Sequence, residues 1–289
     1  MIIGIDAGGT TTKGALISGD RQVLAVFHSG FGNPLIDKEK ATAHINEVLQ
    51  ACIQAADHPI VHVVIGMAGF STVKDHFIIP EEWSRPFKLT IVNDAELALE
   101  AGIPEGDGIL TIAGTGSIHI GKKTGKIYTS GGWGHLLGDE GGGYDIGKNA
   151  IRTVLKDLES LHSASEFSKS LLNHINCINA SGVKAWFYAQ DKTAIASLSK
   201  FVSDMEKEKN GTAAHILHSS CKSLVTQIKR LYHRMEMTTE AKLVMAGSIL
   251  QTNDFCYTII DEELQGMFKE VSRLNEPAYI GAYTIAGYK

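Results

Sequence analysis

Cysteine is scarce in this chain. Four occur in 289 residues, Cys52, Cys177, Cys221 and Cys256, and no two form a CxxC pair. A paired-cysteine metal or iron–sulfur site within one chain is therefore not expected, and the pattern fits the reduced thiols of a cytoplasmic protein. Long apolar runs are also missing, since none approaches the roughly 18 residues a membrane span needs. The chain enters a strand at once, without a basic-then-apolar leader, so a soluble protein is expected. Basic runs are absent as well. Lys and Arg number 27 against 32 Asp and Glu, a formal charge of −5, and neither nucleic acid nor a membrane is an expected partner.

What the sequence has is glycine, and its opening stretch shows how glycine is used. Ile2, Ile3 and Ile5 make a short apolar strand with Asp6 at its end, and Ala7-Gly8-Gly9 then turns the chain. Adjacent glycines let backbone approach an anion closely, and the N–H groups of such a turn can point at phosphate oxygens. Thr10, Thr11 and Thr12 add hydroxyl donors, and an aspartate beside the turn can hold Mg²⁺ directly or through water. The same residues also suit an ordinary glycine hairpin with a surface aspartate.

The composition, 44% hydrophobic and 20% charged, is globular, and the length suits one large or two medium domains. Strands are predicted over 1–5, 11–17 and 23–28, a helix over 38–56, buried strands over 61–66 and 89–92, and a helix over 95–101. That order predicts a mixed α/β sheet with a parallel portion, in which ligands collect at the carboxyl ends of strands. Asp6, Gly66 to Gly69 and Asp94 all lie at such ends.

After a glycine- and proline-containing connection over 102–108 the pattern restarts. A strand over 109–113, the turn Gly114-Thr115-Gly116-Ser117, a strand over 118–121, a turn and a strand over 127–129 repeat the layout of residues 1–28. Setting Ala7-Gly8 on Ala113-Gly114 places Ile112 opposite Asp6. The chain thus reads as a duplicated fold with two phosphate-gripping turns, one of which also serves a metal. Domains are expected over 1–103, completed by 277–289, and over 104–276, the latter carrying helical insertions.

Twelve of the 30 glycines fall between Gly114 and Gly147, where backbone must approach something closely. Among them runs Gly131-Gly132-Trp133-Gly134-His135-Leu136-Leu137-Gly138-Asp139-Glu140-Gly141. No regular element accommodates this run, and a tryptophan, a histidine and two adjacent acids amid glycines point to a ligand loop. Helices are predicted from 146 to about 161, over 213–235, over 253–267 and over 277–286, with strands over 242–245 and 268–274. The segment 163–211 reads as helical and polar, without identifiable chemistry.

These motifs carry a resemblance. Asp6-Ala7-Gly8-Gly9-Thr10-Thr11-Thr12-Lys13, Ala113-Gly114-Thr115-Gly116-Ser117 and Val244-Met245-Ala246-Gly247-Ser248 resemble the two phosphate motifs and the adenosine motif of the actin-like sugar-kinase superfamily. Asp94 resembles its first connecting motif, and the loop 131–141 resembles the sugar signature of N-acetylglucosamine kinases and their BadF/BadG-type ATPase relatives. The resemblance implies an α/β fold of two ribonuclease H-like (actin-like ATPase) domains, with ATP and Mg²⁺ in a cleft between them. It implies transfer of the γ-phosphoryl group to the 6-hydroxyl of an amino sugar, most directly N-acetylglucosamine. Carried over residue by residue, Asp94 is the base and Asp6 serves the metal. Asn33, Ser117, Trp133, Gly134, Asp139 and Glu140 face the sugar. Gly8, Gly9, Thr10, Thr11, Thr12, Lys13, Gly114, Thr115 and Gly116 hold phosphates, and Gly247 and Ser248 hold the adenosine. A homodimer is implied by related kinases.

Two of these residues have plainer uses open to them. Asp94 is also placed to cap the helix that follows it, and Asp139 to cap the helix after the glycine loop. One departure stands out: Ile118 follows the second glycine motif where human-type enzymes carry a polar residue. The alternatives are an N-acetylmuramic acid or glucosamine kinase and, from another class, an ATPase switch module acting on a protein partner.

Overall fold

A computed structural model describes residues 1–83, 86–160 and 163–288. The elements of the first stretch are β1 (Ile2–Ala7), β2 (Thr12–Ile17), β3 (Val23–Ser29), α1 (Lys38–Ala55), β4 (His62–Met67), α2 (Phe70–Val73), β5 (Lys88–Asn93) and α3 (Asp94–Gly102). They are followed by β6 (Gly108–Ala113), β7 (Ser117–Lys123), β8 (Lys126–Gly131), α4 (Gly143–Leu158), α5 (Glu166–His174), α6 (Ala180–Ala189), α7 (Lys192–Lys207) and α8 (Gly211–Arg234). The chain closes with β9 (Lys242–Ala246), α9 (Ser248–Thr252), α10 (Asp254–Glu263), β10 (Glu270–Arg273) and α11 (Gly281–Ile285). Among the described residues no helix is long and apolar enough to cross a membrane.

Two five-stranded sheets form, in the orders β3-β2-β1-β4-β5 and β10-β9-β6-β7-β8. Read from opposite ends, the orders coincide. Each has the strand before its glycine turn in the middle, the hairpin strands to one side and the crossover strands to the other. The sequence-level repeat is therefore a repeat of topology. Compact units divide as Met1–Leu110 with Ile120–Ile127 and Leu274–Lys289, and Thr111–His119 with Tyr128–Arg273.

In the first unit β1 runs antiparallel to β2 and parallel to β4, which runs parallel to β5. β1 and β4 are buried on both faces, as their unbroken apolar runs require. One face packs against Ala41, Ile45, Val48, Leu49 and Cys52 of α1, whose first turn is capped by the Asp37 side chain. The other face meets Tyr279, Ile280, Ala282 and Tyr283 near the C-terminus. Gly4 makes that approach possible, because a Cβ there would stand 2.2 Å from the Tyr279 carbonyl oxygen.

The second unit sets α4, α7 and α8 together around an apolar core that includes Ile146, Val154, Leu198, Val202, Leu217 and Leu224. The segment 163–211, expected to be helical, is α5, α6 and α7, capped by Ser165, Asn179 and Asp191. Some boundaries move from their expected places. The predicted C-terminal helix is a 3₁₀ turn over Ala278–Ile280 followed by the five residues of α11. The helix predicted over 253–267 stops at Glu263, and the strand predicted over 268–274 is the four-residue β10. For the helix predicted to end near 161, α4 ends at Leu158, and residue 161 lies outside the described residues.

Candidate active site

The register of the first sheet brings the acids together. Asp6 pairs across the parallel ladder with Gly66, Gly66 pairs with Val92, and Asp94 follows β5 directly as the first residue of α3. The two carboxylates thus stand at the carboxyl ends of β1 and β5 with only β4 between them. Burial pushes Asp6 up to about 6, the Asp94 charge adds to the rise, and Lys13 opposes it. Burial also raises Asp94, against the pull of the Ala95 backbone N–H. Helix capping is the work of its neighbour: Asn93 Oδ1 accepts the Ala95 N–H at 3.0 Å from the N-cap position. Asp94 Oδ1 accepts the same N–H at 2.9 Å.

Around Asp6 the glycine turn is closed by the Gly8 N–H donating to the Thr11 carbonyl at 3.0 Å. The Gly32 N–H donates to the Gly8 carbonyl at 2.8 Å, so the loop carrying Asn33 is docked on the turn. Asn33 Oδ1 accepts the Leu35 N–H at 2.9 Å, and a Cβ on Gly69 would lie 2.7 Å from that oxygen. Asn33 therefore sits between the glycine turn and the end of β4. Gly9, Thr10, Thr11 and Lys13 are exposed. Thr12 is not. It pairs with Ala7 in the ladder, its side chain is fully buried beneath Gly32, and its hydroxyl has no hydrogen-bond partner among the described residues. The structure brings Asp6, Asn33 and Asp94 together at the strand ends and turns Thr12 away.

Oxygen donors of this kind suit a hard divalent cation such as Mg²⁺, and two half-buried carboxylates held above their ordinary range leave charge for one to neutralise. Among the described residues no three His, Cys, Asp or Glu converge on one point. A cation held by Asp6 would complete its shell with water and phosphate oxygens, as Mg²⁺ characteristically does.

The second glycine turn is built on a different support. The Gly114 N–H donates to the Gly116 carbonyl at 2.9 Å. The Gly143 and Tyr144 N–H groups, in the first turn of α4, donate to the Gly114 and Thr115 carbonyls at 2.7 and 3.0 Å. That is why α4 starts at Gly143 and not at the predicted 146: its free N-terminal donors have carbonyls to meet. The Asp139 carboxylate lies over Gly116, where a Cβ would be 2.2 Å from Oδ2. Asp139 Oδ1 accepts the Gly134 N–H at 3.1 Å, closing the loop on itself, and does not cap α4. Burial raises the Asp139 carboxyl above its ordinary value, against that hydrogen bond and the nearby His135.

Ser117 is buried and donates to the Glu140 carbonyl at 2.8 Å, so its hydroxyl braces the loop. Trp133 stands 72% exposed, followed by the exposed Leu136 and Leu137. Ile118, at the position of the departure noted above, packs under Gly132, where a Cβ would be 2.8 Å from its Cδ1. Gly247, with φ of +85°, rests on the backbone of Ala113, so the turn before Ser248 is held beside the glycine turn. A cavity of about 400 Å³ reaches Ser248 and is lined also by Ser199, Lys200, Ser203 and Asp204. A larger one, about 580 Å³ between α4 and α6, touches none of the residues singled out in the sequence.

Sequence reasoning missed Gln227 of α8, which donates from Nε2 to Glu140 Oε2 at 3.2 Å. It also missed His119, buried beneath the loop with Nδ1 3.1 Å from Thr111 Oγ1. No local signal marks Gln227, since it lies 87 residues from its partner.

Residues 3–285 match the model of the BadF/BadG/BcrA/BcrD ATPase family. The chain is similar to an N-acetylmuramic acid/N-acetylglucosamine kinase of Clostridium acetobutylicum, 30% identical over 99% of this chain and 97% of that protein. It is also similar to an N-acetyl-D-glucosamine kinase of Dictyostelium discoideum, 26% identical over 95% of this chain and 93% of the relative. Among solved structures, one from Chromobacterium violaceum that carries the name of an N-acetylglucosamine kinase has a TM-score of 0.78 at 21% identity, covering 98% of both chains. A glucokinase of the ROK family from Streptomyces griseus, solved with glucose and AMPPNP, has a TM-score of 0.60 at 13% identity, again covering 98% of both chains. Both structures share the α/β fold of this chain. By a match that spans nearly its whole length, the chain belongs to the BadF/BadG/BcrA/BcrD ATPase family.

Proposed function

We propose that the protein is an ATP-dependent amino-sugar kinase that phosphorylates the 6-hydroxyl of its sugar, with N-acetylglucosamine as the first candidate substrate. The observation that carries this reading is the pair Asp6 and Asp94 at the ends of β1 and β5, with only β4 between them, beside a glycine turn. Full-length relatives named as kinases of N-acetylglucosamine and N-acetylmuramic acid support the substrate class.

In this reading each residue has a chemical task. Asp94 accepts the proton of the attacking hydroxyl as its oxygen bonds to the γ-phosphorus and the bond to ADP breaks. The transition state of phosphoryl transfer is loose, so that proton leaves late and the base serves mainly to orient the hydroxyl. Asp6 holds Mg²⁺, which supplies charge neutralisation on the phosphates. N–H groups of the turns at Gly8 and Gly114 and the hydroxyls of Thr10, Thr11 and Thr115 meet phosphate oxygens, with Lys13 adding positive charge. Thr12 has no part in this, being buried. Asn33, Asp139 and Glu140 accept or donate hydrogen bonds to sugar hydroxyls, and Trp133 offers its ring face. Gly247 and Ser248 border the adenosine.

ADP release with Mg-ATP, measured against N-acetylglucosamine, N-acetylmuramic acid, glucosamine, N-acetylmannosamine and glucose, tests the proposal. Turnover with one or two of the amino sugars is expected. Steady ATP hydrolysis that no sugar accelerates would overturn it in favour of an ATPase module acting on a protein partner.

A further inference from the structure

The glycine loop over 131–141 is short of internal supports. Within it, backbone bonds join Leu137 and Gly138 to the Gly134 carbonyl, and Asp139 holds the Gly134 N–H. From outside, Ser117 takes the Gly132 N–H on its carbonyl and gives its hydroxyl to the Glu140 carbonyl, and Gln227 of α8 approaches the same two ends. Gly131 has φ of +74° and the Gln227 Oε1 against it, where a Cβ would stand 2.9 Å from that oxygen. Glu140 receives the Nε2 donor of the same carboxamide at 3.2 Å. One side chain on α8 thus touches both ends of the loop. Behind it lies His119, fully buried, its Nδ1 on the Thr111 hydroxyl and its Cδ2 3.6 Å from a Cβ built on Gly131. Burial keeps this imidazole neutral, its pKa held down to about 4. A buried ring and a half-buried carboxamide thus lie under an otherwise glycine-rich segment.

We propose that Gln227, backed by the buried His119, is a positioning residue that clasps the sugar loop and sets the Glu140 carboxylate for the sugar. The kinetic part of this inference rests on the amino-sugar kinase reading, and the structural part does not. A glycine-rich loop pays conformational entropy each time it is ordered, so a clasp that orders it beforehand lowers the cost of binding substrate. Removing the clasp then weakens sugar binding and leaves the phosphoryl-transfer step largely intact.

The experiment uses the full chain with Gln227→Leu, Gln227→Glu, and Gln227→Glu combined with Glu140→Gln. Two readouts are taken: amide hydrogen exchange over residues 131–141 in the free protein, and KM for sugar and ATP with kcat. Gln227→Leu is expected to speed exchange across the loop and raise the sugar KM about tenfold, the worth of one good hydrogen bond, with the ATP KM and kcat within about twofold. Gln227→Glu sets two carboxylates together and does at least as much damage. The exchanged pair restores a carboxamide–carboxylate hydrogen bond and is expected to return loop exchange to the wild-type rate. Unchanged exchange in Gln227→Leu, or failure of the exchanged pair to restore protection in a protein of normal melting temperature, would overturn the clasp. If no sugar is turned over by any form, the kinase reading fails, while the exchange data still decide on the clasp. If exchange responds as expected but the sugar KM does not, the positioning role is overturned.

Discussion

The two glycine turns of this protein stand at the same place in two sheets of the same strand order, yet they are built for different chemistry. The turn at Gly8 follows a strand that ends in a half-buried carboxylate, Asp6, which feels the charge of Asp94 two strands away. The turn at Gly114 follows a strand in which Ile112 occupies that place. Its support comes from behind, where α4 aims two N–H groups at its carbonyls and the Asp139 carboxylate covers Gly116. Duplication supplied one scaffold twice. The carboxylate at the strand end was kept in one copy only, and the carboxylate of the other copy comes from a glycine-rich loop that follows its hairpin.

The sharpest way to break this division is to neutralise the first copy. Asp94→Asn keeps the side-chain volume and the bond from the Ala95 N–H but cannot take a proton. On the proposed mechanism kcat falls by about 10³-fold, within the usual range for a lost general base. ATP affinity, measured by titration, changes little. Near-normal turnover would mean that Asp94 is a helix-end carboxylate and that the base lies elsewhere.

How far that division was legible in the sequence depended on distance along the chain. Asp6, Gly8 and Asp94 are set by strand ends, and strands announce themselves through local apolar runs such as those of β1 and β4. Thr12 shows the limit of local reading. Three threonines in a row look alike as hydroxyl donors, but a strand alternates its faces, and Thr12 points into the core. The start of α4 was missed by three residues because its donors are satisfied by Gly114 and Thr115, a tertiary match that no helix pattern encodes. Gln227 could not be found at all, since its partners come from a loop far back in the chain. The helices α5, α6 and α7 carry capping residues that were readable one by one, but their chemistry, if any, leaves no motif.

A second test uses acidity. Asp6 has a folded pKa of about 6 against an ordinary value of 3.8. The fold therefore keeps a proton that the unfolded chain gives up as pH rises from about 4 to about 6. Across that window the metal-free protein loses stability as pH rises, by roughly 3 kcal/mol at most, and the curve is level above it. Asp6→Asn removes the Asp6 contribution to that slope, leaving those of the raised Asp94 and Asp139 carboxyls, and Mg²⁺ reduces it in the wild type by drawing the carboxylate pKa down. Urea unfolding at a series of pH values, in chelator and in Mg²⁺, checks this. Equal slopes for the wild type and Asp6→Asn would show that the carboxylate is not strained by burial.

A third change acts on the second copy. Gly116→Ala sets a methyl carbon 2.2 Å from Asp139 Oδ2 and 2.9 Å from its Cγ, and the carboxylate must move aside. On the proposed assignment the sugar KM rises on the order of thirtyfold, the worth of a hydrogen bond to a charged group, and the ATP KM rises less. A crystal structure or exchange measurement on the variant would show whether Gly134 loses its bond to Asp139 as well.

The smallest effect is expected from the first turn's open glycine. Nothing lies within 4 Å of a Cβ built on Gly9, so Gly9→Ala costs the fold almost nothing and the melting temperature stays within a degree or two of wild type. The emptiness is informative only if a ligand fills it. A methyl group there would hold a phosphate oxygen away from the turn's N–H groups, and the ATP KM is expected to rise about fivefold, close to one lost backbone hydrogen bond, with the sugar KM unchanged. Set beside Gly116→Ala, this separates the two copies by substrate: an alanine in the first turn is felt by the nucleotide, an alanine in the second by the sugar. If Gly9→Ala changed neither KM, the space above the first turn would be plain solvent, and the phosphate contacts assigned to it would have to come from the hydroxyls of Thr10 and Thr11 and the Lys13 ammonium instead.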